Sequence, residues 1–331
     1  NMLFGRGDNA YSYFVKVLLL AITYATVVIH FKNDYQRYIQ ASIIATLFLG
    51  LVAVYVLPII YTDPFIGRNY EFTKDEIPWF GSWAYFMTYA ISMPCFIAVA
   101  HQQKGLLKII LYVLCISMVI LILLSTFAAS IILLIMGFAG FTLFSKRKPK
   151  TFIIMVLTIL IIVSIVVMYN FSEIPQFEQI GDKIITIFTI APVTNYNDPS
   201  DPRARIGLMN TSLNTFIDNP LFGIGVYNAQ TFGDRFVGNH SGIVDSMAQY
   251  GLLGIIWYIL FIAISLRRLS HALKTNPNNL IHQARFLTFI LFLIGALANP
   301  ILFDPGIFAL VCILSLSPIG FTTTNKNARS A

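Results

Sequence analysis

The chain has 331 residues, 57% of them hydrophobic and 11% charged, with a formal net charge of +7. A soluble globular domain carries about 25% charged residues, so this composition excludes a protein whose only solvent is water. Membrane proteins gather Lys and Arg in their cytoplasmic loops, so the positive balance is read by position and no nucleic-acid partner is expected.

Apolar runs of roughly 18 or more residues with almost no charge have the length of a bilayer crossing. Nine spans are predicted on that basis, at 10–31, 38–61, 84–101, 106–125, 126–144, 152–170, 242–266, 286–300 and 304–321. The run Lys146-Arg147-Lys148-Pro149-Lys150 sets the cytoplasmic side, and alternation then orders the other loops. Lys32, Arg37, Lys104, Lys108, Arg267, Arg268, Lys274, Arg285, Lys326 and Arg329 fall inside with it, against one acid, Asp34. Outside fall Arg6, Arg68, Lys74, Lys183, Arg203, Arg205 and Arg235, with nearly all the Asp and Glu. The expected product is an all-α polytopic membrane protein forming one membrane domain over residues 1–331. Its beginning would lie outside, which reads either as a start at Met2 or as a chain whose earlier helices are absent. Cys95, Cys115 and Cys312 sit inside apolar runs, where cysteine behaves as a small hydrophobe, so neither a disulfide framework nor a metal site is expected.

Two outer loops exceed what connection requires. The first, 62–83, contains Arg68 and ends in Trp79 and Trp83, an aromatic pair suited to the membrane interface. The second, 171–241, is far longer than the usual few-residue connection, a length associated with function or disorder. Within it, Asp198 and Asp201 have a spacing open to metal ligation, but each directly precedes a proline, Pro199 and Pro202, and is read as a turn former. After them Ile206, Met209, Leu213, Phe216 and Ile217 recur at three- and four-residue steps. They predict a short helix that lies on the membrane surface. Asn219-Pro-Leu-Phe-Gly-Ile-Gly225 ends it in a turn. Then His240 and Ser241 precede a span in which Asp245 lies one turn deeper. An ionisable group in a span is a functional-site candidate, while Ser241 as helix cap and Asp245 near the helix dipole give the structural alternative.

Together these stretches resemble the O-antigen ligase and polymerase superfamily, of the WaaL and Wzy type. One match is Arg205, fifteen residues before Pro220, followed by Pro-Leu-Phe-Gly-Ile-Gly. The other is His240-Ser241 followed by Gly251-Leu-Leu-Gly254. The resemblance implies a GT-C-like helical bundle of about twelve helices, with a large periplasmic loop carrying short surface helices before the last three. About three N-terminal helices would then precede this sequence. It further implies a bacterial inner-membrane location with the site on the periplasmic side. The chain departs from the family in one respect. Relatives often carry a Ser-Arg pair at the outer end of an upstream helix, where Ser125-Thr-Phe-Ala-Ala-Ser130 stands here without an Arg.

What the resemblance implies chemically is transfer of a glycan from undecaprenyl pyrophosphate to a sugar hydroxyl, inverting the anomeric centre, without metal or cofactor. Arg205, with Arg203 second, would match the growing charge of the pyrophosphate through paired hydrogen bonds. His240 would act as general base, since its pKa lies near neutral. Arg68 and Arg235 are further substrate-binding candidates, as are Ser241 and Asp245, the latter orienting His240. Gly251 and Gly254 are assigned to close helix packing. The implied partners are the lipid-linked oligosaccharide donor, a glycan or lipid A-core acceptor, the bilayer, and a chain-length regulator. Polymerase and ligase remain alternatives, and a lipid or oligosaccharide transporter is a third class. Transporters show repeated halves and broken helices near the midplane, whereas the polar residues here cluster at the outer face.

Overall fold

The computed structural model describes residues 9–31, 34–62, 83–125, 127–144, 202–225, 237–238, 241–299, 301–303 and 305–317. The span expected at 152–170 and most of the loop 171–241 lie outside the described residues. The helices are α1 (Asn9–His30), α2 (Tyr35–Thr62), α3 (Trp83–Gln102), α4 (Gly105–Leu124), α5 (Ala128–Phe144), α6 (Pro202–Asp218), α7 (Gly242–Thr275) and α8 (Leu280–Ala298). A short 3-10 turn, Ile301–Phe303, leads to α9 (Pro305–Val311), which widens into a π-helical turn at Cys312–Leu316. Among the described residues every element is helical.

Four of these helices are long and apolar enough to cross a membrane: Tyr35–Tyr61, Ala84–Gln102, Gly105–Leu124 and Leu280–Ala298. The two parts of α7, Gly242–Ile256 and Tyr258–Thr275, meet at 67° and are together apolar enough to count as a fifth crossing if they form one span. The protein is therefore an all-α, multi-pass membrane protein.

Helix α3 forms the centre, packed by α2, α4, α5 and α8. It is the least apolar of the four straight crossings, yet 83% of its most apolar stretch is buried, against 33% for α2 and 39% for α4. This inversion follows from the solvent: lipid tails are as apolar as Leu, so hydrophobicity does not drive helices together, and small or weakly polar residues favour contact between them. Close approach is visible where a Cβ on Gly50 would meet Leu114 Cβ at 2.5 Å, and where one on Gly140 would meet Leu287 Cδ1 at 2.7 Å. These contacts seat α2 on α4 and α5 on α8. The second part of α7 is held by Phe261, whose ring meets Tyr24 of α1, Phe289 of α8 and Phe308 of α9 at centroid distances of 5.4, 6.2 and 5.7 Å.

The two ends of the bundle differ in charge. One end gathers the tight turns after α1, α3 and α7, with Arg37, Lys104, Lys108, Arg267, Arg268 and Lys274. Tyr35 Oη donates to Gln102 Oε1 at 2.8 Å and ties two of these turns together. An ion pair, Arg37 with Asp34 at 2.9 Å, is also here. Charge asymmetry marks this as the end that the sequence reading places in the cytoplasm. Two predicted boundaries move at this end. Helix α7 continues to Thr275, carrying Arg267 and Arg268 on the helix, and α8 begins at Leu280, so Arg285 is inside it and buried.

Candidate active site

At the opposite end, the start of α7 meets the end of α8, where Gly242 N–H donates to Asn299 O at 3.1 Å. Ser241 caps α7: its backbone is extended and its hydroxyl accepts from Val244 N–H at 3.2 Å. Asp245, 5% exposed, reaches back to the cap, and its Oδ2 accepts from Ser241 N–H at 2.8 Å. A carboxylate in the first turn also complements the partial positive charge of the helix N-terminus.

The other carboxylate oxygen connects α7 to α6. Ser212 Oγ donates to Asp245 Oδ1 at 2.6 Å and accepts from Gly238 N–H at 2.8 Å. One hydroxyl thus joins α6, the approach to α7 and the first turn of α7. Gly238 is required there because a Cβ would collide with the backbone and side chain of Leu208.

The face of α6 that meets α7 is not the apolar one. Leu208, Ser212 and Thr215 are buried, at steps of four and three, while Leu213 and Ile217 are exposed. Short polar side chains permit close approach and leave the larger apolar residues outside. Leu221 and Phe222, also exposed, extend that apolar surface past the helix end.

Beyond Asp218 the chain turns through Gly223 (φ 64°) and Gly225 (φ 77°), conformations that favour glycine. This turn docks on an interruption in α7 at Gly251, whose φ is 61° and ψ −170°. In an unbroken helix Leu252 N–H and Leu253 N–H would bond to the carbonyls of Ala248 and Gln249. Here Leu252 N–H donates to Pro220 O at 2.8 Å and Leu253 N–H to Leu221 O at 3.1 Å. The released carbonyls accept from the same turn: Ile224 N–H bonds to Ala248 O at 3.0 Å and Gly225 N–H to Gln249 O at 2.8 Å. Two helical bonds are replaced by four between segments, so the break carries no orphaned backbone group at these positions. Gly251, expected to serve helix packing, instead provides a backbone break that Pro220–Gly225 fills.

The expected site residues distribute as follows. Ser241 and Asp245 lie together in the hydrogen-bonded start of α7. Arg203 and Arg205 lie on the first turn of α6, with Arg205 seven residues, about two helical turns, before Ser212. His240, Arg68 and Arg235 lie outside the described residues. Ser212 and Gly238 were not singled out in the sequence. A lone serine on an amphipathic helix carries no local signal, and its partner Asp245 stands 33 residues away.

Residues 110–259 match the model of the Wzy_C family, described as O-antigen ligase. The matched stretch runs from α4 into the second part of α7 and contains both the Pro-Leu-Phe-Gly-Ile-Gly turn and the Gly251 break. No curated protein matches the chain.

Proposed function

We propose that the chain is a member of the O-antigen ligase and polymerase superfamily, and that it is a polymerase transferring glycans from undecaprenyl pyrophosphate at the outer face of a bacterial inner membrane. The observation that carries the reading is the interlock of Pro220–Gly225 with the Gly251 break. It brings the two motifs of the family-matched stretch into one body and sets the start of α6 and the start of α7 at the same end of the bundle. A GT-C-like arrangement of the membrane domain suits this placement.

In the proposed reaction an acceptor sugar hydroxyl attacks the anomeric carbon, the bond to the pyrophosphate oxygen breaks, and the configuration inverts. His240, the residue before Ser241, takes the hydroxyl proton as general base, a role typically contributing about 10²–10⁴-fold. The leaving pyrophosphate gains charge, which Arg205 and Arg203 match with fixed guanidinium groups. Preorganised charge of this kind is often the largest catalytic contribution. The pyrophosphate is already an activated leaving group, so the step requires no metal. Arg68 and Arg235 are assigned to donor binding in place of the missing upstream Ser-Arg. Asp245 is assigned to holding the entry to α7 in register. A chain-length regulator is a proposed partner.

The second reading is a ligase that passes the completed glycan to lipid A-core or another acceptor, favoured by the matched family's own description. The glycan pattern of a deletion strain, complemented with wild type, Arg205→Ala or His240→Ala, separates the two. A polymerase leaves a single repeat unit attached to its acceptor and no ladder. A ligase leaves long chains on the lipid carrier and none attached. An unchanged ladder in the deletion strain overturns both.

A further inference from the structure

At the basic end of the bundle, far from the site above, a cavity of about 570 Å³ opens between α1, α7, α8 and the π-helical turn with Ser317 after it. Its size lies within the range of about 300–1,000 Å³ typical of small-molecule sites. The walls carry Arg267, Arg268, His271 and Arg285, and among the described residues no acidic side chain lines it. Arg267, Arg268 and His271 are exposed at the mouth, whereas Arg285 is 4% exposed.

Arg285 is committed on one side only. Its Nε donates to Ser315 O at 3.0 Å and its Nη2 to Ser317 O, while the guanidinium stacks over the Tyr38 ring at 5.5 Å. Its Nη1 makes no hydrogen bond among the described residues, and it forms no ion pair with a described residue. A buried cation without a carboxylate partner, grouped with two further guanidiniums, is suited to an incoming anion. Arg268 is held at the rim by Tyr24 Oη at 3.5 Å.

The surroundings select what bears that anion. Ile264 lines the cavity and is exposed, and Leu260 and Ile259 continue the exposed apolar surface toward the middle of α7, as Ile22 does on α1. A ligand with its charged group in the cavity would have acyl chains against these residues. Basic pockets between helices at the cytoplasmic face attract anionic lipid headgroups. We propose that this cavity is a binding site for a phosphate group presented by an anionic diacyl phospholipid. The site stands independently of the glycan-transfer reading.

The test is thermal unfolding of the full chain in neutral detergent with added phosphatidylglycerol, phosphatidylcholine or inorganic phosphate. For saturating phosphatidylglycerol a rise of roughly 4 °C or more is expected, following mass-action stabilisation. It should vanish in Arg267→Gln/Arg268→Gln and in Arg268→Gln/His271→Gln, and persist in Lys274→Gln, whose charge lies outside the cavity. Equal rises with phosphatidylglycerol and phosphatidylcholine, or in wild type and both double variants, overturn the proposal. An equal rise with inorganic phosphate assigns the cavity to a free anion and overturns the lipid.

Discussion

A Cβ on Gly251 would stand 2.6 Å from the backbone nitrogen of Gly223, and one on Gly223 would stand 2.5 Å from the carbonyl of Gln249. The two glycines hold backbone against backbone at a distance no side chain permits, and both have positive φ. Between them they join a turn that leaves α6 to a break in α7, through the four hydrogen bonds on either side.

Gly251→Ala and Gly223→Ala should therefore each destabilise the protein. The left-handed conformation costs about 1–3 kcal/mol for a residue with a Cβ, and the contacts force the segments apart. Thermal unfolding of the purified variants measures this. Because the shift also moves α6 relative to α7, transfer activity should fall more than folded protein does. A variant of normal stability would show that the break tolerates a side chain.

Ser212 and Asp245 should prove energetically coupled. Ser212→Ala leaves Asp245 Oδ1 and Gly238 N–H without their shared hydroxyl, and a buried group left unsatisfied costs about 1–3 kcal/mol. Asp245→Asn should be the milder change, because its carbonyl can accept from Ser241 N–H while its amide donates to Ser212 Oγ, whose second lone pair is open to it. A double-mutant cycle of Ser212→Ala and Asp245→Ala should give an interaction energy of about 0.5–3 kcal/mol, as for directly contacting residues. Strict additivity would contradict the pairing.

Arg205→Lys should not rescue Arg205→Ala. Lysine retains the charge but presents a point donor in place of a planar fork. If Arg205 grips the pyrophosphate, both variants lose most turnover, whereas a general attraction to anionic lipid would be satisfied by lysine. Turnover of a lipid-linked oligosaccharide by the purified variants decides between these outcomes.

Arg285→Met should weaken the packing of α8 against the end of the chain's last described turn. It strips the carbonyls of Ser315 and Ser317 of a charged donor, and hydrogen bonds to charged groups contribute about 1.5–3 kcal/mol each. Arg285→Lys should recover less than half of this, since one ammonium cannot reproduce the two-nitrogen grip. Unfolding midpoints of the three proteins report it.

Much of the architecture was legible in the chain itself. The apolar runs that become α2, α3, α4 and α8 announce themselves because a bilayer demands length and hydrophobicity within one segment. Among the described residues, Arg37, Lys104, Lys108, Arg267, Arg268 and Lys274 gather at one end for an equally local reason. The two glycine-bearing motifs were visible too, and the resemblance they carry agrees with the family found over residues 110–259.

Other features required the fold. Which crossing occupies the centre was not readable from apolarity, because lipid accepts the most hydrophobic faces of α2 and α4 and leaves α3 inside. The face of α6 was misleading, since its most apolar side is exposed and its serine and threonine side is buried. Arg285 resembled a loop cation, but the early start of α8 puts it beneath carbonyls 30 and 32 residues away. Gly251 and Pro220–Gly225 were two separate signals until the structure showed one supplying the backbone partners of the other. Hydrophobic length and charge are properties of a segment, and the sequence alone determines them. Satisfying a broken helix, a buried carboxylate or a buried guanidinium needs donors and acceptors from distant segments, which only tertiary structure brings within hydrogen-bonding distance.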